Sequence, residues 1–165
     1  STALYIMFDF VALDFETADK YIPCSLGLAV VSNSQIVEKR SWLIKPICYP
    51  YFHYYAQRIH GIHKDDVKFE PEFDELWNEI KPYLESQVLV AHNASFDINV
   101  LRKTLRHYKL EIPPARYYCT YQIARLVWQQ TYVVRDFPDC QRESKRYRDS
   151  GDRLRLPGNS YAPNT

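Results

Sequence analysis

This 165-residue sequence lacks several common features, and each absence excludes a class of protein. The four cysteines are widely spaced and form no CxxC pair, which argues against a zinc ribbon or a redox motif. No apolar run approaches the length of a membrane span, and no secretory signal pattern is visible. The net charge is only +1, so an acidic partner would have to be attracted by a local patch or by a bound metal. We therefore expect a cytoplasmic protein with no membrane partner.

The chain divides into three parts by composition. Met7 is the only methionine and directly precedes the first strong strand pattern, so residues 1–6 are predicted to be a leader. Residues 7–128 carry regular apolar patterns, and the whole chain has the apolar and charged content of a folded globular protein. Residues 129–165 are rich in arginine and have neither helical nor strand periodicity, which predicts an atypical C-terminal segment or tail.

Apolar patterns in the middle part predict an α/β domain with a mixed β-sheet flanked by helices. Three strand-like runs come first, and helices then alternate with strands, which favours a mixed sheet over a purely parallel one. The first run has no breaker and is predicted to be a central strand. The predicted strands are 8–14, 25–31, 35–44, 88–91 and 117–120, and the predicted helices are 73–84, 95–108 and a short one ending at 128.

Two carboxylates, Asp14 and Glu16, lie two residues apart at the end of the predicted central strand. The two-residue period of a strand directs both side chains to the same side of the sheet. Mg²⁺ and Mn²⁺ prefer oxygen ligands and commonly use one or two protein carboxylates together with substrate phosphate. The pair therefore predicts a divalent metal site, although solvated loop acids are the commoner meaning of this pattern when it stands alone.

Asp97 lies in the first turn of a predicted helix that directly follows the strand at 88–91. Strand-to-helix junctions on neighbouring strands bring their side chains to the same edge of an α/β sheet, so Asp97 is predicted to join Asp14 and Glu16. The alternative is that Asp97 only interacts favourably with the helix dipole, which contributes about 0.3–1 kcal/mol.

Three ordered motifs resemble the DEDD family of 3′→5′ exonucleases, in its DEDDh branch. FVALDFET (10–17) is similar to the family's D-x-E-T motif, and HNASFD (92–97) is similar to its H-N-x-x-F-D motif. IHGI (59–62) is similar to the segment between them. The nearest members would be the proofreading epsilon subunit of bacterial DNA polymerase III and its stand-alone homologues, with RNase T more distant. The resemblance covers residues 7–128 and implies a ribonuclease H-like fold.

The resemblance also implies a chemistry and a set of site residues. Members of the family act on a nucleic-acid 3′ end with two divalent metals, Mg²⁺ or Mn²⁺, about 3.5–4 Å apart. The implied metal ligands and catalytic residues are Asp14, Glu16 and Asp97, and the implied substrate contacts are Phe15, Thr17, His60 and Asn93. DNA is favoured over RNA as the substrate, and a protein partner is left open.

Structural roles compete with three of the implied substrate contacts. Core packing is an equal alternative for Phe15, and a purely structural hydrogen bond is the alternative for His60. For His92 and Asn93, bracing of the strand-to-helix junction is favoured over contact with substrate.

The family's third motif, H-x-x-x-x-D, is not found. It supplies a histidine general base and a fourth metal-binding aspartate, yet all five histidines, the last being His107, precede the place where it should appear. Tyr147 and Asp152 have the matching separation, but Ser150 and Gly151 would interrupt a helix between them. The three remaining carboxylates predict one bound metal and a weakened second metal site. General-base assistance contributes about 10²–10⁴-fold, so slow hydrolysis is expected without the histidine.

Two other functions stay open. A non-catalytic module with the same fold would bind nucleic acid or a protein partner. A basic helix face, formed by Arg102, Lys103, Arg106 and Lys109, would contact phosphates in such a module, although a solvated surface is the commoner meaning of such charge. The third possibility is a hydrolase that uses the same acids on mononucleotides.

Overall fold

The computed structural model describes the backbone of residues 8–127 and the side chains of residues 8–123. The predicted leader at 1–6 and the predicted segment at 129–165, with Tyr147 and Asp152, lie outside the described residues. The strands are β1 (Phe10–Asp19), β2 (Ile22–Ser32), β3 (Gln35–Leu43), β4 (Val88–Ala91) and β5 (Arg116–Cys119). They form one sheet in the order β3-β2-β1-β4-β5. The sheet is mixed, as the sequence predicted.

The first three strands form an antiparallel meander. Asn33 and Ser34, which join β2 to β3, both have a positive φ, of 51° and 63°. Two such residues in succession give a tight turn whose twist matches that of the flanking strands. This turn fixes the register of the edge strand β3 against β2.

The central strand β1 positions the acidic residues of the first motif. It pairs antiparallel with β2 on one side and parallel with β4 on the other. Val11, Leu13 and Phe15 are buried on one face of β1, so Asp14 and Glu16 point to the other. Because β1 and β4 run parallel, with Ala12 paired to Val90, Asp14 and Glu16 of β1 lie beyond the end of β4 at Ala91, on the side where the chain continues into the helix Ala94–His107.

The described helices are α1 (Tyr54–His60), α2 (Phe73–Leu84), α3 (Ala94–His107) and α4 (Thr120–Val127). A buried stripe of α2 packs in the core. At the start of α2 the Glu72 backbone N–H donates to the Glu75 carboxylate at 2.8 Å, which satisfies a donor that the helix itself leaves free. No helix in the described part of the chain is long and apolar enough to cross a membrane.

Two predictions about the elements were wrong. The helix α1 was not predicted, because none of its residues is buried and it carries no apolar stripe facing the core. The first strand was predicted to end at Asp14 but continues to Asp19, because Asp14 and Glu16 pair with Gly27 and Ser25 of β2. Asp14 and Glu16 interrupt the apolar pattern of the strand without ending its pairing with β2.

Candidate active site

The carboxylate of Asp97 is hydrogen-bonded to the strand that carries the other two acids. Its Oδ1 accepts a hydrogen bond from the Phe15 backbone N–H at 2.8 Å. Phe15 lies between Asp14 and Glu16 in β1, 82 residues before Asp97 in the chain. The structure thus brings the two acidic motifs to one place, which we call the acidic corner and define as Asp14, Glu16 and Asp97.

Burial gives Asp97 an unusual ionisation. Its side chain is only 2% exposed. Burial raises the pKa of Asp97 to about 7, the carboxylates of Asp14 and Glu16 add to the rise, and the Phe15 N–H opposes it. The environment of this carboxyl group therefore disfavours its ionised form. A cation bound nearby would favour the ionised form and lower the pKa again.

Glu16 shows the same effect in weaker form. Burial raises the pKa of Glu16, the Asp14 carboxylate raises it further, and His60 offsets part of the rise. By contrast, Asp14 is exposed to solvent. Within residues 8–123, no three Asp, Glu, His or Cys side chains are gathered closely enough to form a ready metal site. The acidic corner therefore concentrates negative charge, but its carboxylates do not by themselves form a complete set of metal ligands.

A bulge follows the acidic residues of β1. Glu16 pairs with Ser25, but Thr17 pairs with Pro23, so the register of the two strands shifts between them. Bulges bend a strand and re-aim its side chains, and they occur often beside sites. Beside this bulge, the Thr17 carbonyl oxygen lies 3.0 Å from Nε2 of His60.

His60 is held by hydrogen bonds at both ring nitrogens. Nδ1 accepts from the Ile62 backbone N–H at 3.0 Å, so in the neutral ring the proton sits on Nε2 and is donated to Thr17. This arrangement ties the IHGI segment to the end of β1. A structural hydrogen bond, the alternative considered for His60, is therefore present, and contact of His60 with substrate stays a prediction.

The Phe15 ring lies in the core. It is 2% exposed and packs in the main apolar cluster, as the core-packing alternative expects. Contact of this ring with a terminal nucleotide would require it to leave the core. The contribution of Phe15 that the structure describes is its backbone N–H, which holds Asp97.

Asn93 and His92 brace the junction between β4 and α3. Asn93 has a left-handed backbone, with φ of 55°, which asparagine tolerates better than most residues. Its side-chain oxygen accepts from the Ser95 hydroxyl at 3.1 Å. Nδ1 of His92 lies 3.0 Å from the Thr120 hydroxyl, which begins α4. The bracing role favoured from the sequence is what these contacts provide.

Two residues near the corner were missed by the sequence reasoning. Thr120 links the junction after β5 to the junction after β4. Cys24 is fully buried with its sulfur 4.0 Å from Nε2 of His60, and burial together with the Glu16 carboxylate raises the pKa of its thiol to about 12. Neither residue belongs to a local motif, so no sequence signal pointed to it.

Comparison with known proteins assigns the family. The model of the RNase T exonuclease family matches residues 11–152. The chain belongs to this exonuclease family. The match extends past residue 128, where the sequence placed the end of the exonuclease-like domain, and that boundary stays a prediction.

Curated relatives include a bacterial DNA polymerase III and a bacterial 3′-5′ exonuclease. The chain is 33% identical over 99 residues to a DNA polymerase III of PolC type from Thermotoga petrophila, covering 56% of this chain and 7% of that protein. It is 28% identical over 127 residues to the 3′-5′ exonuclease DinG of Bacillus subtilis, covering 72% of this chain and 13% of that protein. The chain thus spans only a small part of the relatives that it matches.

Solved structures share the fold. A structure of Exonuclease X in complex with 5′ overhanging duplex DNA matches with a TM-score of 0.59 and 24% identity, covering 92% of this chain and 78% of that chain. At this level of identity the likeness concerns the fold. It confirms the ribonuclease H-like architecture expected from the motifs.

Proposed function

We propose that this chain is a divalent-metal-dependent 3′→5′ exonuclease domain that shortens nucleic acid from its 3′ end, with DNA favoured over RNA. Family membership supports a nuclease, and a relative named 3′-5′ exonuclease supports the polarity. A polymerase relative and a DNA-bound structural neighbour support DNA. The observation that carries the proposal is the buried carboxylate of Asp97, held by the Phe15 N–H against the strand of Asp14 and Glu16.

The donor set of the corner fits a hard divalent cation. Carboxylate oxygens are the ligands that Mg²⁺ and Mn²⁺ prefer. Burial raises the pKa of both Asp97 and Glu16, the Asp14 carboxylate raises both further, and a cation would stabilise their ionised forms. Asp14, Glu16 and Asp97 are therefore the residues proposed to hold the metal. When bound, such metals activate a water molecule and stabilise the leaving oxygen of a phosphodiester.

The chain's own residues orient this chemistry. The Phe15 N–H fixes Asp97, the His60 imidazole fixes the backbone after Glu16, and Asn93 shapes the junction from which Asp97 projects. His60 has both nitrogens engaged, so it is not placed to take a proton from water. No histidine follows His107 in the sequence to serve as the third motif of the family, and we propose that hydrolysis proceeds slowly without it.

A second candidate function is a module that binds nucleic acid without cleaving it. The observation that favours it is that no histidine follows His107 in the sequence. Without a general base, a nuclease loses about 10²–10⁴-fold in rate, which can reduce turnover below a useful level. The two candidates differ in whether bound nucleic acid becomes shorter.

An exonuclease assay with end-labelled strands tests the proposal. Single-stranded DNA and RNA labelled at the 5′ end are incubated with Mn²⁺ and the wild-type chain, with Asp14→Asn, and with Asp65→Asn as a matched control. Asp65 is an exposed acid on the loop after the IHGI segment, so its loss changes the same charge outside the corner.

Stepwise shortening that is lost in Asp14→Asn and kept in Asp65→Asn supports the exonuclease. Salt-sensitive binding of the strand with no shortening supports the non-catalytic module. Shortening that survives in Asp14→Asn would refute the assignment of the acidic corner as the active site. Turnover of mononucleotide esters without shortening of strands would mean that the substrate is a mononucleotide and not a polymer.

A further inference from the structure

A cavity of about 290 Å³ opens beside the C-terminal half of α3. Its walls come from the turn between β1 and β2, from the loop after β3, and from Lys103, Thr104 and Tyr108 of α3. Ligand pockets commonly measure roughly 300–1,000 Å³, so this cavity suits one small group rather than a large molecule. It lies outside the acidic corner, and no residue of the corner lines it.

The cavity combines apolar walls with cationic side chains. Ile22, Ile44 and Phe73 contribute apolar surface, while Lys20, Lys45 and Lys103 contribute positive charge. No Asp or Glu is among the described residues that line it. A flat apolar group that carries a negative charge is complementary to such a cavity, and a nucleobase attached to a phosphate has both properties.

An aromatic ring connects the cavity to the corner. Tyr21 is 36% exposed and lines the cavity, with the Lys103 ammonium 3.8 Å from its ring centroid. The ring centroid of Tyr21 also lies 5.8 Å from that of Phe96, the residue directly before Asp97. Two aromatic rings and an ammonium group therefore lie between the cavity and the start of α3, which carries Asp97.

Helix geometry gives the separation. Asp97 and Thr104 are seven residues apart on α3, two turns along the same helix face, which corresponds to about 10 Å. One short strand can span both places. In a 3′→5′ exonuclease the part of the strand that remains after cleavage lies on the 5′ side of the reacting phosphate.

We infer that this cavity, together with Tyr21 and Lys103, binds a nucleotide of the single strand on the 5′ side of the reacting phosphate. This inference rests on the proposed exonuclease function. The base occupies the apolar walls and stacks near Tyr21, and the lysines contact the phosphates. The basic face of α3 predicted from the sequence thereby acquires a defined ligand, with Lys103 as its member at the cavity.

Binding of a fluorescent single-stranded oligonucleotide, measured by anisotropy in the presence of a chelator, tests the inference without cleavage. The variants are Tyr21→Ala and Lys103→Gln, and Lys39→Gln is the matched control because Lys39 is an exposed lysine on the edge strand β3. Both Tyr21 and Lys103 are surface residues, and thermal unfolding of each variant checks that the fold is kept.

Loss of stacking and of a phosphate contact is expected to weaken binding by roughly five- to a hundredfold in Tyr21→Ala, with a reduced salt dependence in Lys103→Gln and little change in Lys39→Gln. Equal binding by all three variants and the wild type would overturn the inference. Displacement of the strand by polyglutamate as efficiently as by a second oligonucleotide would also overturn it.

The two proposals fail separately. If the wild type binds single-stranded oligonucleotide through Tyr21 and Lys103 but does not shorten it, the exonuclease proposal fails. The inference that the cavity binds a nucleotide then still stands. If shortening depends on Asp14 but the substitutions of Tyr21 and Lys103 leave binding unchanged, the exonuclease proposal stands. The inference that the cavity binds a nucleotide is then wrong.

Discussion

The two ends of α3 differ in charge and, more informatively, in burial. Asp97 near its N-terminus is 2% exposed and faces two other acids, whereas Lys103 and His107 near its C-terminus are exposed. The helix dipole favours an acid at the first end and bases at the second, so the signs of charge alone carry no functional meaning. Burial distinguishes the two ends of α3. The acid at the first end lies where its ionised form is disfavoured, whereas the bases toward the second end are exposed to solvent.

The largest expected effect separates the two ends by the kinetic parameter that changes. Asp97→Asn should reduce the rate of cleavage at saturating strand by more than about a hundredfold, since even outer-shell partners of a metal commonly contribute 10- to 100-fold. Lys103→Gln should instead raise the strand concentration needed for half-maximal cleavage. Steady-state rates on a long oligonucleotide, over a range of strand concentrations, check both. A lower rate at saturation in Lys103→Gln would mean that the two ends act as one site.

Phe15 connects the corner to the core, and its substitution tests which role the ring has. Phe15→Ala should lower the free energy of unfolding by about 3–5 kcal/mol in urea titrations, because the ring is buried in the main cluster. Phe15→Leu should lose less stability and keep its cleavage rate, since the backbone N–H to Asp97 remains. A strong loss of activity in a stably folded Phe15→Leu would instead indicate contact of the ring with the terminal nucleotide.

The ionisation of Asp97 predicts a pH dependence of stability without metal. Its folded-state pKa is raised from 3.8 to about 7, so between these values the unfolded chain releases a proton that the folded chain retains. Stability from this group should therefore be highest below pH 4 and fall as the pH rises to about 7, by at most a few kcal/mol at 1.36 kcal/mol per unit.

Urea titrations of the wild type and of Asp97→Asn in chelator, over this pH range, measure the effect as the difference between the two proteins. Asparagine keeps an oxygen for the Phe15 N–H but does not ionise. The variant should gain stability relative to the wild type as the pH rises. A difference that does not change with pH would show that Asp97 is hydrated in the folded chain.

The smallest expected effect concerns the buried thiol of Cys24, which lies beside His60. Cys24 is fully buried and its pKa is raised to about 12, so at neutral pH it remains a thiol and reacts slowly with iodoacetamide. Cys48 is partly exposed, and burial raises its pKa as well. Peptide mapping by mass spectrometry should find Cys48 modified before Cys24. Equal rates of modification would indicate that the Cys24 thiol is accessible to solvent.

Periodic segments were predictable from the sequence, and unpatterned ones were not. The helix Phe73–Leu84 and the strand Val88–Ala91 have the bounds that their apolar spacing predicted. The helix Tyr54–His60 buries none of its residues, so it left no such spacing. The same contrast holds in the strands, where the ladder continues through Asp14 and Glu16 although their polarity suggested an end.

At the site, motif spacing identified the acids but not their environment. The positions of Asp14, Glu16 and Asp97 followed from strand period and topology. Their hydrogen bonds did not, because the contact between Phe15 and Asp97 joins residues 82 apart in the chain. The engagement of both His60 nitrogens likewise depends on tertiary contacts, and so does the link between His92 and Thr120.

Binding of Mn²⁺ to the acidic corner is the central claim, and electron paramagnetic resonance of free Mn²⁺ measures it directly, without substrate or turnover. Titration of the wild type at pH 8 should deplete the free-ion signal stoichiometrically. Asp97→Asn and Asp14→Asn should each weaken this binding strongly, while Asp65→Asn should match the wild type. Equal depletion by all four proteins, or none by the wild type, would contradict the account.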